Sequence, residues 1–503
     1  MGRLKKAALR VLPFSAVHKS ISRRGRDYQA FKDQFLDLDP EFVELLQEKY
    51  LVYSFRDNAA RIPHYKNFLA KHHVDPTQIK SKEDFLTKVP ETTKKSYVFT
   101  AKNLACMCKD GDQHNISLIV KSSGHSGVQC YWAKSRAEDH FGKNALSIGL
   151  DHNFQVHEKK TLIINAFILG SWVTGINFNM LATYHCPVIN VGPDKEEIFQ
   201  TMNDIGAQFE QIIISGYPPF IKDLVDFGNA NKFNWKRYKV HFIGGGEDFP
   251  EGWRDYIHKN AGGAKVRSGF GASDIGILGG TETDDTVFIR QLADKDPALR
   301  HALFGDVQET PMIFQYPLNL YVYANTKKEM VFTTILPEAA QPVIKYNLED
   351  IGGTFTHKQL HEILGRFGVK REFVLPLPFM YIVGREDGPV KYNAFFVYPE
   401  NIQECVYRNK IISASATGAF KFRTVFDEHH VRHLVIEFQL KKGMLKSPKL
   451  EKEFTTLIMK SLQDVNEGYR ATVKKLGDLA QPKVQLYSFD DYPYKGKIKN
   501  RYS

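Results

Sequence analysis

The chain runs to 503 residues, more than a single compact core is expected to hold, so two or three domains are anticipated. Its composition (43% hydrophobic, 13% aromatic, 25% charged) is that of a globular protein, and no run approaches the roughly 20 apolar residues of a membrane helix. The formal net charge of +11 invites a nucleic-acid reading, but much of the excess sits at the two ends with no aromatic–basic module beside it, so nucleic acid is set aside as a partner.

Residues 1–26 carry Arg3, Lys5, Lys6, Arg10, Lys19, Arg23, Arg24 and Arg26 ahead of the first acid, Asp27. Leu4, Ala8, Val11 and Leu12 recur among them at helical spacing, which suits an anionic membrane surface or a transit peptide. A solvated basic helix is the plainer alternative. Residues 27–110 read as helical, with loops marked by Asp39-Pro40, Ile62-Pro63 and Val89-Pro90. From residue 116 the pattern changes to short β-rich runs at 117–120, 161–166, 187–191, 211–215 and 240–243, alternating with helix-length segments. That alternation predicts parallel α/β layers, followed by further strands at 329–336 and 343–346.

A polar, glycine-flanked stretch, Gly384-Arg385-Glu386-Asp387-Gly388, suggests a boundary. Beyond it the patterns predict strands at 421–426 and 433–440, one long helix over 448–476, and a last strand at 483–489. The fold class expected is therefore α/β: a large multi-layer N-terminal domain with mixed sheets and helices, plus a small mobile α+β lid. Residues 1–110 form a helical segment packed on the large domain, 111–383 its core, 384–388 a hinge and 389–503 the lid. Five scattered cysteines (Cys106, Cys108, Cys130, Cys186, Cys405) with no CxxC pair read as reduced thiols, which points to the cytoplasm.

Three segments invite chemistry. Ser122-Ser123-Gly124-His125-Ser126-Gly127 follows a predicted strand; glycines and hydroxyls of this kind either cradle phosphate or form an ordinary turn. Gly269-Phe270-Gly271-Ala272-Ser273-Asp274 imitates a dinucleotide fingerprint, but the third glycine is missing and no strand of the right length is expected to lead in, so that reading is rejected. His429, His430 and His433 have metal-like spacing in a polar stretch without supporting cysteine, and an exposed turn is the better reading.

Taken in order, these and later segments resemble the adenylate-forming superfamily, and within it the phenylacetate–coenzyme A ligase branch. The 122–127 loop resembles SSGTTG, and residues 165–178 resemble an aromatic, glycine-containing acid-pocket segment. Ser215-Gly216-Tyr217-Pro218-Pro219 is similar to a TPSY-type turn, and Gly244-Gly245-Gly246-Glu247 to the GAEP adenine segment. Phe270-Gly271-Ala272-Ser273-Asp274 resembles YGLSE, and Tyr346-Asn347-Leu348-Glu349-Asp350 the YRTxD element. Gly384-Arg385-Glu386-Asp387 resembles GRxD, and Gly496-Lys497-Ile498 the C-terminal GKI.

The resemblance implies an enzyme that uses ATP and Mg²⁺ to convert a small-molecule carboxylic acid into an acyl-adenylate. Transfer to coenzyme A as a thioester would follow. It assigns Ser122, Ser123, Gly124, Ser126 and Gly127 to the β- and γ-phosphates, Gly245, Gly246, Glu247, Phe270 and Gly271 to the nucleotide, and Ser273 to the α-phosphate. Asp274 would hold the metal, Asp350 the ribose hydroxyls, and Arg385 the ribose and phosphates. Lys497 would reach the developing charge from the lid, with Asp387 as the hinge. Phe167, Trp172, Thr174 and Gly175 would line the acid pocket; Trp172, Phe167, Phe178 and Phe270 suggest an apolar acid, an aromatic one included, or else belong to the core.

The chain departs from the family at His125 in the phosphate loop, where Thr is usual, and at Val128-Gln129, where Lys-Pro is usual. Asp274 replaces Glu, and Ala394 replaces the glycine that lets the pantetheine arm pass the backbone. The last change keeps a rival open, in which an amine, an alcohol or a carrier-protein thiol takes the acyl group. A non-catalytic nucleotide- or acid-binding relative is the alternative from another class.

Overall fold

The computed structural model describes residues 28–121, 130–170, 173–307, 310–385, 390–392, 395–426 and 432–491. Its N-terminal part is helical, with helices Tyr28–Leu36, Pro40–Arg61, Pro63–Lys71 and Lys82–Lys88. Each expected X-Pro loop is a helix boundary. The Asp39 side chain accepts from the amides of Glu41 and Phe42, and Pro40 occupies the first turn, where no amide donor is required. Ile62 and Val89, each ahead of a proline, are extended. Helix Pro40–Arg61 buries Val43, Leu46, Leu51 and Phe55, and Ser54 Oγ donates to Ile335 O at 2.9 Å, fastening it to the main sheet.

A two-stranded antiparallel hairpin, β1 (Ile116–Lys121) and β2 (Tyr131–Ser135), flanks residues 122–129. The main sheet follows in chain order as β3 (Thr161–Asn165), β4 (Val188–Asn190), β5 (Gln211–Gly216), β6 (Val240–Gly245), β7 (Lys265–Ala272), β8 (Gly276–Thr281), β9 (Met312–Gln315), β10 (Leu320–Ala324), β11 (Glu329–Thr334), β12 (Tyr346–Phe355) and β13 (Phe379–Arg385). These eleven strands lie in the order β10-β11-β12-β13-β9-β8-β7-β6-β5-β3-β4. Strands β4, β3, β5, β6 and β7 pair in parallel, and every later pairing is antiparallel. Burial on both faces explains the unbroken apolar runs of β3 and β5, in which every residue is buried.

Beyond a short pair, β14 (Val390–Tyr392) and β15 (Phe395–Val397), comes a second sheet of β16 (Ala416–Phe426), β17 (Arg432–Leu440) and β18 (Lys483–Tyr487). Helices Pro399–Arg408 and Pro448–Val465 pack on it, and Glu467–Leu476 packs on β15 and on Pro448–Val465.

Three expectations need correction. Residues 343–345 are not a strand: Lys345 has φ +46, its ammonium is turned onto the carbonyls of Phe85, Leu86 and Val89, and β12 begins only at Tyr346. The long C-terminal helix is two helices, broken at Asn466, whose side chain caps the second. The strand denied to the Gly269–Asp274 segment exists as β7, but it leads into antiparallel β8 and no helix, so the dinucleotide reading still fails. His429 and His430 lie outside the described residues, and His433 stands in β17 opposite Val425. None of the five cysteines, all among the described residues, forms a disulfide. Among the described residues no helix is long and apolar enough to cross a membrane.

Candidate active site

In a sheet of this kind ligands bind at the carboxyl ends of the parallel strands. β5, β6 and β7 end side by side, with Gly216 opposite Gly244 and Gly245 opposite Gly269. This brings the Ser215–Pro219, Gly244–Glu247 and Phe270–Asp274 segments together at one rim. Gly246 has φ +91, a conformation that favours glycine, and a Cβ there would lie 3.4 Å from the Tyr217 ring. Gly271 is required by close approach: its Cβ would meet Ile277 Cα at 2.7 Å and Gly276 O at 2.8 Å where β7 turns into β8.

A cavity of about 950 Å³ opens at this rim, at the upper end of the usual range for small-molecule sites. Gly245, Gly246, Glu247, Phe270, Gly271, Ser273, Asp274 and Asp350 line it, together with Phe167 and Thr174. Asp350 arrives from the other half of the sheet, in β12 directly opposite Arg385 of β13. Ser273 Oγ donates to Lys121 O at 3.0 Å, at the end of β1 and immediately before residue 122. Asp274 is almost fully buried; Tyr346 Oη donates to its Oδ2 at 2.6 Å and Lys94 Nζ lies 3.4 Å from the same oxygen. Burial and the Asp274 carboxylate hold the Tyr346 phenol far above its ordinary pKa, so it serves as a donor.

Gly175 does not line the cavity. It packs under the chain at Ile168, where a Cβ would meet the carbonyl oxygen at 2.3 Å, and its own carbonyl accepts from Asn165 Nδ2. Its glycine therefore answers to a close backbone approach. Residues 122–127, Trp172, Asp387, Ala394 and Lys497, and the side chain of Arg385, lie outside what is described.

Two features escaped the sequence. Lys94 reaches Asp274 from a Lys-Lys pair that reads as solvated surface, and nothing local distinguishes it. From the C-terminal part, Tyr398, Glu400 and Gln403 also line the cavity; burial, then Asp248 and Glu247, pushes the Glu400 carboxyl up to about 8. Beneath the rim a buried charge network fixes the strand ends. Arg254 forks onto Glu282 at 2.7 and 3.1 Å, and Glu282 accepts from Ser268 N at 2.8 Å. Arg290 joins Glu251 to the carbonyl of Phe249. A bidentate pair of this kind sets orientation as well as attraction.

The architecture is that of the adenylate-forming ligases. A solved structure of 2-hydroxyisobutyryl-CoA ligase, in the postadenylation state in complex with R3-HIB-AMP, superposes with a TM-score of 0.66 at 14% identity, over 92% of this chain and 88% of that one. The same ligase with 2-HIB-AMP gives 0.64 at the same identity and coverage. In its thioesterification state with 2-HIB-AMP and CoA it gives 0.53 at 14% identity, over 92% of this chain and 89% of that one. No family model and no curated protein matches the chain.

Proposed function

We propose that this chain activates a carboxylic acid with ATP and then passes the acyl group to coenzyme A. In the first step a carboxylate oxygen bonds to the α-phosphorus, the α–β phosphoanhydride breaks, and pyrophosphate leaves. In the second the thiol sulfur bonds to the acyl carbon, AMP leaves, and the thiol proton is released. One observation carries this reading: the 245–247, 270–274 and 350 segments, far apart in sequence, line a single cavity at the carboxyl ends of β5–β7. The solved structures with this fold, holding HIB-AMP and CoA, support it, and the higher TM-score against the postadenylation state suits a chain arranged for the first step.

In this reading Asp350 accepts the ribose hydroxyls and Ser273 turns from Lys121 O toward the α-phosphate. Residues Ser122, Ser123, Gly124, Ser126 and Gly127 hold the outer phosphates, and Arg385 and Lys497 meet the developing charge. Asp274, a buried carboxylate on the cavity wall, fits Mg²⁺ as a single protein ligand, the ion otherwise being held by phosphate oxygens and water. The ion would offset phosphate charge, while Tyr346 and Lys94 orient the carboxylate. Residues 384–388 act as a hinge, with Asp387 at its centre and 389–503 as the lid. The phenylacetate–coenzyme A ligase-like branch and a cytoplasmic setting complete the reading, the latter motivated by cysteines that form no disulfide. A second acceptor, an amine, an alcohol or a carrier-protein thiol, is favoured by Ala394 at the glycine position of the pantetheine passage.

The test is pyrophosphate release across an acid panel, with and without coenzyme A. Release that depends on acid, ATP and Mg²⁺ is expected, and silence across the panel replaces the reading with a binding protein. Lys497→Ala is expected to slow adenylation by about 10²–10³, with Lys495→Ala and Lys499→Ala near wild type. Three equal, mild effects would show the tail to be only a basic surface.

A further inference from the structure

The cavity continues well past Phe167 and Thr174. Helix Arg136–Phe154 walls it from Ala137 to Phe154, about 25 Å at the α-helical rise of ~1.5 Å per residue. Along this arm the apolar lining is Phe141, Ala145 and Ile148 from that helix, beside its His140 and Asn144, with Leu377 and, from helix Tyr28–Leu36, Phe31 and Phe35. Helix Tyr28–Leu36 is fastened in place. Lys32 pairs with the buried Asp151 carboxylate, and Tyr28 stacks on His157 with ring centroids 4.1 Å apart. Phe35, Ile148 and Leu377 belong to one buried cluster, so the arm is walled by packed side chains.

Two of the amides that border the arm are already spent. Gln315 Nε2 donates to the carbonyls of Leu375 and Leu377 while its Oε1 accepts from Thr283. Asn153 Nδ2 donates to the carbonyls of Gly149 and Glu282, and its Oδ1 accepts from Arg267. Beside these two amides a polar group would lose its water for no partner, whereas methylenes would lose only water contact; Asn319 Oδ1, buried and unbonded among the described residues, is a polar atom left on the cavity wall.

We infer that the acid this enzyme takes carries a long, linear apolar chain, laid along helix Arg136–Phe154 and measured by Phe31 and Phe35. The inference rests on the acid-activating reading of the same cavity. Phe31 and Phe35 are specificity-determining residues that touch the far end of the chain, well away from the nucleotide rim.

The experiment is pyrophosphate release with linear saturated acids from acetate to stearate, alongside phenylacetate and benzoate. KM is expected to fall about fourfold for each added methylene, the equivalent of ~0.8 kcal/mol per buried CH₂, until the arm is full and then to rise. Phe35→Ala should move that turning point to longer acids and Phe35→Trp to shorter ones, in KM for the acid with KM for ATP unchanged. A wild-type preference for acetate or the aromatic acids, or no dependence on chain length, overturns the inference without any variant. So does a turning point that neither folded variant moves.

If no acid releases pyrophosphate, the activation reading has failed, and the arm is then tested by direct binding of a fluorescent polyene fatty acid. Displacement by stearate but not by phenylacetate, weakened at least fourfold in Phe35→Trp, upholds the chain-binding arm on its own. Absence of polyene binding overturns it.

Discussion

At the scale of single residues, the site depends on side chains whose partners come from distant strands. Asp350 stands across from Arg385 on the cavity wall, and two ribose hydroxyls donating to it would be charge-assisted bonds of roughly 1.5–3 kcal/mol each. Asp350→Ala is therefore expected to weaken ATP by at least tenfold, read by calorimetry with a non-hydrolysable ATP analogue. An unchanged affinity would remove Asp350 from the ribose. The residues that sequence could point to are those whose chemistry is local: Gly271, forced by the turn from β7 to β8, or Gly246, held at φ +91. Lys94 was not legible, because its meaning is a contact with Asp274, from a segment that is sequentially remote. Gly175 is the converse, a glycine demanded by the carbonyl of Ile168.

At the scale of elements, periodicity found the buried strands and the X-Pro boundaries, and failed where a tertiary contact interrupts a helical pattern. Nothing in the apolar spacing of residues 448–476 breaks at Asn466. The break exists because Asn466, fully buried, accepts from Tyr469 N at 2.8 Å and donates to Asn401 Oδ1 at 2.8 Å, tying the start of helix Glu467–Leu476 to helix Pro399–Arg408. Asn466→Ala removes an N-cap worth about 0.5–2 kcal/mol and a buried bond worth about 1 kcal/mol. A loss of roughly 2 kcal/mol is expected in urea unfolding. Asn466→Ser, which keeps a capping oxygen, should recover about half. Equal stability of all three proteins would mean that the two helices are held by packing alone.

At the scale of the whole molecule, the parallel part of the eleven-stranded sheet was legible from β3 to β6 as alternating β and α segments, but most of its antiparallel part, and the way the C-terminal sheet is fastened to it, were not. Lys222, in helix Pro218–Ala230 just after β5, is completely buried. Its ammonium donates to Asp226 at 2.7 Å and, across to the C-terminal part, to the carbonyls of Ser413 at 2.8 Å and Ala416 at 3.1 Å. Lys441 returns the contact, 2.5 Å from Asp226, which also accepts from the Tyr256 hydroxyl. Burial depresses the Lys222 pKa to about 8, against the attraction of Asp226 and with the help of Lys441. Between about pH 8 and the ordinary lysine value near 10.4, the unfolded chain holds a proton at this residue that the folded chain has released. Unfolding then takes up a proton, so the Lys222 contribution to stability rises with pH across that window and is at its lowest below pH 8. The full change is roughly 3 kcal/mol at 1.36 kcal/mol per unit. Lys222→Met isolates it, because the other titrating groups are common to both proteins. The stability of wild type minus that of Lys222→Met, from urea midpoints at pH 7.5 and 9.5, is expected to grow by about 1–2 kcal/mol in favour of wild type. A difference that stays level would mean Lys222 keeps an ordinary pKa despite its burial. A difference that shrinks would mean the ammonium is held more tightly in the fold than in water, and that the contact between the two sheets is a strong ion pair with no net desolvation cost.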